Sequence, residues 1–271
     1  MTERIVGESR ENELVSLCMS GTPADFERHQ TMTEPEQVKA QLKVTCRNCS
    51  LSELCLPRGL KREDIERIGN LVSRKRTLQK GDYLYRKGDP FRGIIAIKAG
   101  TAKVTALDQG GNESVTAYLL PGELLGFDAL ADDYHSCSAV ALETVSYCEI
   151  PADQLDGLCR DVPNLMRELF RHAGHTLAAE TDQILLSKRP AEERVAGFLI
   201  NISNRLRQRG FSATEFRLSL TRQEIGNFLG LALETVSRTL KGLEDSGIIR
   251  VKHKYIQITN LKRLQDLRAN Q

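Results

Sequence analysis

Apolar and polar positions change rhythm several times along the 271 residues. Residues 1–45 are polar and weakly patterned, which predicts a largely flexible extension. In "LKREDIERIGNLVSR", Leu60, Ile65, Ile68, Leu71 and Val72 recur at helical spacing. From about residue 77 to 150 the rhythm shortens: "YLYR", "GIIAIKAG", "TAKVTAL", "SVTAYLL" and "SAVALETVSYCEI" alternate with the turn clusters "KGD", "KGDP", "KAG", "QGGN" and "PGE". Short strands between glycine-rich turns predict an antiparallel sandwich or jelly roll. Pro163 then opens a helical segment to about Leu186, along which Met166, Phe170, Ala173, Leu177, Glu180 and Ile184 recur at alternating steps of four and three. That is a heptad seam, narrow enough to suit a twin helix, and it predicts a homodimer; packing on the chain's own β domain is the alternative. Past "SKRPAEER", Val195, Phe198, Leu199, Ile202 and Leu206 mark a further amphipathic helix, which Gly210 closes.

The segment "LTRQEIGNFLGLALETVSRTLKGLEDSGII" is more specific. Thr221 and Glu224 form an S/T-x-x-E capping box, in which the two side chains satisfy orphan amides at a helix start. Ile225, Phe228 and Leu229 supply that helix's buried face, and Gly230 ends it. A second helix follows, with Val236, Leu240 and Leu243 facing inward and Glu234, Ser237, Arg238 and Lys241 facing out. This spacing predicts a helix-turn-helix whose second helix enters the major groove of double-stranded DNA. Arg238 can donate twice to guanine, Glu234 can accept from a cytosine amine, and Ser237 can serve either. Leu233 is placed to touch a thymine methyl, while Thr221, Arg222, Gln223 and Thr235 are placed to grip phosphates. "GIIRVKHKYIQI" reads as a hairpin wing with a basic tip of Lys252, His253 and Lys254.

Charge agrees with that placement. The net charge of +2 conceals 16 Lys and Arg against 8 Asp and Glu in residues 186–271, and 22 against 28 in residues 1–185. A basic C-terminal third on an acidic body points to a nucleic-acid-binding module on a sensing domain. No apolar run approaches the ~20 residues of a membrane span, and the first ten residues carry four Glu and Arg, so a cytoplasmic location is expected. There thiols stay reduced, and the total of seven cysteines is odd. Cys46, Cys49 and Cys55 within ten residues therefore favour a soft metal centre, zinc or iron–sulfur, over a disulfide. Spacing alone does not choose a fourth ligand among Cys18, Cys137, Cys148 and Cys159.

From about residue 44 to 262 the chain resembles the Crp/Fnr superfamily of bacterial transcription regulators, and most closely its oxygen-responsive Fnr branch. The matching stretches are "CRNCSLSELCLP", "KGDYLYRKGDPF", "PGELLGFDAL", "ALETVSYCEIP", "AEERVAGFLINIS", "RGFSATEFRLSLTRQEIGNFLGLALETVSR" and "HKYIQI". The resemblance implies an α+β fold: an N-terminal cyclic-nucleotide-binding-like β-roll (a jelly roll), a long dimerisation helix and a C-terminal winged helix-turn-helix. It divides the chain into an extension 1–45, a cysteine loop 46–59, a β-roll 60–160, a dimerisation helix 161–187 and a DNA-binding domain 188–271. It implies that Cys46, Cys49, Cys55 and Cys148 hold a 4Fe–4S cluster, which oxygen converts to a 2Fe–2S form while the dimer loosens. Glu180 would set like charges against each other across the seam and weaken the dimer when no cluster is bound. The implied partners are palindromic DNA with TTGAT-type half-sites, a second copy of the chain, and RNA polymerase, for which the turn Asp108–Asn112 is a candidate. The implied role is activation or repression of anaerobic genes, not catalysis.

Rival readings, two on the same scaffold and one from another class, have weaker support. Cyclic-nucleotide sensors of the family hold the phosphate with an Arg-Ser pair after the "GE" turn. Here His135-Ser136 stands in that region with no arginine, so no cyclic nucleotide is expected. His135, His172 and His175 are the candidates for a haem-based sensor. An iron–sulfur electron carrier does not account for the winged helix. Two departures from the Fnr branch are the Arg47-Asn48 pair between the first cysteines and the length of the N-terminal extension.

Overall fold

The computed structural model describes residues 46, 49–52, 54, 55, 60–74, 77–107 and 110–269. The expected flexible extension 1–45, and Cys18 within it, lies outside the described residues. The chain divides into units of residues 1–43 and 44–271, and everything below belongs to the second.

Helix α1 (Arg62–Leu71) precedes eight strands: β1 (Ser73–Arg74), β2 (Tyr83–Tyr85), β3 (Gly93–Ala99), β4 (Ala102–Leu107), β5 (Glu113–Leu119), β6 (Leu124–Leu125), β7 (Ser138–Ala141) and β8 (Ser146–Pro151). They form two antiparallel four-stranded sheets, ordered β1-β8-β3-β6 and β2-β7-β4-β5. The continuous apolar run of β3 has a physical reason: both faces of the strand are covered. Ile95 and Ile97 point between the sheets, where they meet Tyr85, Leu125, Ala139 and Val145. Ile94 and Ala96 point the other way, into a cluster with Ile150, Leu158, Val162 and Leu165. Gly93 lets β3 close on β8, because a Cβ there would lie 2.0 Å from the Ile150 carbonyl oxygen at a φ of +148°.

Helix α2 (Ala152–Asp161) follows β8 directly, and α3 (Pro163–Ser187) starts with proline at its first turn, where the missing N–H costs nothing. Of α3's 25 residues only Leu165 is fully buried. Helix α4 (Ala191–Gln208) is instead buried from Val195 to Ile200 and again at Ile202 and Ser203. Its C-terminus closes in a Schellman-type turn, with the N–H of Phe211 donating to Leu206 O at 3.1 Å and Gly210 at a φ of +74°. Strand β9 (Glu215–Arg217), helices α5 (Arg222–Leu229) and α6 (Leu233–Asp245), strands β10 (Ile249–Lys252) and β11 (Tyr255–Ile258), and helix α7 (Leu261–Ala269) complete a winged helix-turn-helix, its sheet ordered β10-β11-β9.

Three features depart from the sequence reading. Helix α1 fully buries Ile68 alone among its apolar residues and leaves Leu71 exposed. Helices α2 and α7 are additional, since each is short and mixes its few leucines with charge. The β-roll and the C-terminal domain also share one core, in which Tyr118, Leu120 and Leu142 pack with Leu199, Phe216 and Ile225.

Candidate sensor cysteines and nucleic-acid interface

Strand alternation decides where each cysteine points. Cys148 lies between Arg74 of β1 and Ala96 of β3 in the register, on the same face of β8 as Ile150. That face looks onto the Ile68–Ile94–Leu158–Leu165 cluster, against which Cys46 and Cys55 also pack. Among the described residues of the cysteine turn, Cys49 N donates to Cys46 O (3.4 Å) and Cys55 N to Leu51 O (2.9 Å), and Leu51 is buried. Cys49 is half-buried within it. Three of the four candidate thiols thus rest, partly solvent-accessible, on one apolar floor at the base of α3. Soft sulfur donors in a mostly apolar setting suit an iron–sulfur centre. No group of three or more His, Cys, Asp or Glu among the described residues forms a finished metal site.

The other cysteines have different surroundings. Cys137 belongs to the inter-sheet core, its Sγ donating to Asp128 Oδ2 at 3.2 Å. Burial, and then the Asp128 charge, push its thiol up to about 12, so it is a poor thiolate ligand. Cys159 is buried on α2 in the same cluster as Cys148, and burial again raises its thiol, with Asp156 adding to the effect. Asp128 is a hub, since it also accepts from Ser136 N (3.0 Å) and lies 3.2 Å from His135 Nδ1. His135 is buried and stacks on Tyr85 at 3.6 Å between ring centroids. His172 lies on α3 with its Nε2 buried and lacking a hydrogen-bond partner, and burial lowers its pKa to about 4. His175, one turn on, is 3.5 Å from Arg171 Nη1.

The seam residues lie where the heptad spacing puts them. Phe170 is 71% exposed, Leu177 65% and Ile184 62%; Met166 and Glu180 are also exposed, and Ala173 is half-buried. The far end of α3 touches the reading module. Gln183 Nε2 donates to Phe228 O at 2.6 Å, and Arg194 Nη1 to Leu229 O and Gly230 O at 3.1 and 3.2 Å. These donors satisfy the carbonyls left orphaned at the C-terminus of α5. A cavity of about 170 Å³ lies between α3, α4 and α5 at this junction.

The capping box forms as its spacing predicts: Thr221 Oγ1 accepts from Glu224 N at 3.2 Å, and Glu224 Oε2 from Thr221 N at 2.7 Å. Gly230 takes the left-handed conformation that turns the chain into α6. Val236, Leu240 and Leu243 are buried, while Glu234, Ser237, Arg238 and Lys241 form the exposed face. Leu233 is exposed at the start of α6 and Thr235 half-buried. Thr221 and Gln223 are exposed at the start of α5, whereas Arg222 is half-buried and donates to His253 O at the wing tip, 3.2 Å away. Lys241 is paired with Asp245 (2.9 Å) and Glu244 (3.3 Å). In the wing, Lys252 and His253 are exposed, but Lys254 turns inward to donate to Ser219 O at 2.5 Å. Of the Asp108–Asn112 turn, residues 108 and 109 lie outside the described residues.

Sequence reasoning missed the contacts between the domains. Lys103 of β4 bridges Glu113 (2.9 Å) and the capping-box residue Glu224 (3.1 Å). Glu123 meets Arg205 and Arg209 of the C-terminal domain. Glu123 and its two arginines stand more than eighty residues apart, and no local spacing announces them.

Comparison with known proteins gives the same organisation. Residues 193–267 match the Crp-like helix-turn-helix domain family, and residues 75–162 match the cyclic nucleotide-binding domain family. The chain is 43% identical over 228 residues to the fumarate and nitrate reduction regulatory protein of Yersinia pestis, covering 84% of this chain and 91% of that one. It is 43% identical to the transcriptional activator protein Anr of Pseudomonas protegens, covering 84% and 93%. The solved structure of FixK2 from Bradyrhizobium japonicum aligns with a TM-score of 0.66 at 28% identity, covering 72% of this chain and 96% of that one. The Crp/Fnr-family regulator TTHA1359 of Thermus thermophilus shares the fold, with a TM-score of 0.57 at 24% identity over 72% of this chain and 97% of that one. With a β-roll, a long helix and a DNA-binding helix-turn-helix in the order of these relatives, the chain belongs to the Crp/Fnr family of transcription regulators, which are not enzymes.

Proposed function

We propose that this regulator is oxygen-responsive, that Cys46, Cys49, Cys55 and Cys148 hold a 4Fe–4S cluster, and that the ligated form pairs with a second copy and binds palindromic DNA of the TTGAT type. The observation that carries the reading is the shared floor: Cys46, Cys55 and Cys148 pack on the cluster that also receives Val162, Leu165 and Leu169, where α3 begins. An iron–sulfur centre, when bound, supplies an oxygen-labile link between these thiolates. The chain's own residues do the rest. Ligation ties the 46–55 turn to β8 and so fixes the floor on which the first turns of α3 rest. Phe170, Leu177 and Ile184 then present a continuous apolar stripe to the twin helix, while Glu180 brings two carboxylates together and keeps the pairing weak. Loss of ligation frees the turn and loosens the base of α3, and the balance shifts toward monomers.

On DNA, Arg238, Glu234 and Ser237 read base edges and Leu233 meets a thymine methyl. Thr221, Gln223, Thr235, Lys241 and Lys252 contact the backbone, and Arg222 holds the wing tip in place through His253 O. A two-fold dimer sets its reading helices one DNA turn apart, roughly 34–36 Å. RNA polymerase is the partner for activation, and residues 108–112 are its candidate contact. The Asp128 carboxylate already engages Ser136 N, Cys137 Sγ and His135, which supports a β-roll that works without a cyclic nucleotide.

The test is purification under strict exclusion of air, with iron and sulfide analysis and operator binding followed before and after exposure to oxygen. Iron, dimer and operator affinity are expected together and lost together. Colourless, iron-poor protein that held its palindrome equally well would overturn the reading.

A further inference from the structure

Arginines from the end of α4 and just beyond it reach into the β-roll. Glu123, in the "PGE" turn, accepts from Arg205 through Nε at 2.9 Å and through Nη2, and from Arg209 Nη2 at 2.6 Å. Its second oxygen also accepts from Leu120 N at 3.0 Å. Both guanidiniums also hold main chain beside Glu123, Arg205 through Tyr118 O near the end of β5 at 2.5 Å and Arg209 through Pro121 O in the turn at 2.6 Å. Arg209 Nη1 donates back to Arg205 O at 2.6 Å, so the pair also closes the last turn of α4. The Arg209 side chain is only 5% exposed. Beside this bridge, Glu143 accepts from Thr101 Oγ1 (2.8 Å) and Ser219 Oγ (3.2 Å), again joining the two domains. In this docked arrangement Glu234, Ser237 and Arg238 remain exposed, so docking leaves the reading face open.

We propose that Glu123 is a positioning residue for DNA recognition: through Arg205 and Arg209 it fixes the angle of the winged helix-turn-helix on the β-roll. A forked guanidinium–carboxylate pair fixes direction as well as distance. Without it, the Lys103–Glu224 and Glu143–Ser219 contacts and the shared apolar core still join the domains, but the direction fixed at the "PGE" turn is lost and the reading module pivots more widely. Specific binding by a dimer requires both recognition helices to meet their half-sites at once, so pivoting lowers the effective concentration of the second helix. Non-specific binding through phosphates has no such requirement. The consequence is a loss of discrimination with general DNA affinity retained. The inference rests on the proposal that the chain reads a palindrome as a dimer, and is independent of how the cysteines are ligated.

The experiment uses the full-length protein in whichever state, air-free or aerobic, the unmodified chain binds its palindrome. Arg205→Met leaves Glu123 bonded to Arg209 and Leu120 N, so no charge is orphaned and folding is preserved. Affinity for the palindrome is expected to fall about tenfold, as for a typical coupling between sites. Affinity for unrelated duplex, the slope of log K against log salt, the sedimentation coefficient and the iron content are expected to stay unchanged. Glu123→Gln is expected to fall further, and Glu123→Asp to recover part of the loss. Unchanged selectivity in Arg205→Met would overturn the proposal, as would a parallel fall for palindrome and unrelated duplex, which marks a role in the fold alone. A shallower salt slope would also overturn it, because Arg205 would then be touching phosphate itself. Failure of the unmodified chain to select a palindrome in either state is a different result, and defeats the proposed function instead.

Discussion

Two glycines in the reading module predict opposite outcomes for the same substitution. Gly226 is buried in α5, and a methyl group there would lie 2.5 Å from the Leu231 carbonyl oxygen, where ordinary contact begins at 3.4 Å. The atom it would meet is backbone, and the Leu231 N–H donates to Gly226 O at 2.9 Å, so the turn cannot yield without opening. Gly242 lies in α6 with nothing within 4 Å of its would-be Cβ. Replacing glycine by alanine inside a helix is worth up to ~1 kcal/mol by propensity alone. Overpacking a tight contact costs about 1–3 kcal/mol. Gly242→Ala should therefore stabilise the protein by up to ~1 kcal/mol, while Gly226→Ala should lose up to about 2 kcal/mol net. At this chain length that net loss lowers Tm by roughly 2–4 °C per kcal/mol. Denaturant unfolding of the two variants beside the parent measures both effects, and operator binding should weaken only in Gly226→Ala, because the angle between α5 and α6 must change. If the two variants shifted the midpoint equally and in the same direction, the contact at Leu231 would not constrain the turn.

Other consequences can be measured directly. Glu180→Ala should raise the dimer fraction of protein lacking a cluster, and an unchanged sedimentation profile would count against a seam carboxylate that opposes pairing. Arg238→Ala should cost about 1–3 kcal/mol at a single base pair and relax preference there. Lys252→Ala should instead weaken all sequences alike and reduce the salt slope by about one; identical fingerprints for the two would defeat the division between base and backbone contacts. His172 binds its proton less readily when folded, with a pKa near 4 against 6.5, so the unfolded chain takes up the extra proton as pH falls. Its stabilising contribution is complete above about pH 6.5 and is lost between there and pH 4, and His172→Leu should flatten stability over that window. A variant with the parent's slope would show that another group titrates there.

Local chemistry made much of this molecule legible before its structure. The Thr221–Glu224 box, the Gly230 turn and the buried triplet Val236, Leu240 and Leu243 are decided within a few residues of one another, and spacing alone locates them. The exposed stripe on α3 was legible for the same reason. Cys148 was reached by resemblance, not spacing, because its position depends on which face of β8 looks toward the turn carrying Cys46 and Cys55. The Glu123 bridge was invisible, since its charges come from segments that meet only after two domains have docked. Lys254 misled for a related cause. A lysine in a basic hairpin reads as solvent-facing, yet here it satisfies the Ser219 carbonyl.

Helix α3 is a single rod, and each end of it is fastened to something different: Leu165 is sunk in the cysteine-bearing cluster, and Gln183 is bonded to the carbonyl end of α5. At 1.5 Å per residue those anchors stand about 27 Å apart. A rod held this way transmits twist and sliding far better than bending. Adding one residue between the anchors would turn Gln183 by about 100° around the axis and detach it from Phe228, whereas adding seven would return it close to its original bearing. Even seven, at about 10 Å of added rise, would pull the winged helix off the β-roll and part Glu123 from Arg205 and Arg209, so the two domains together hold α3 to one length.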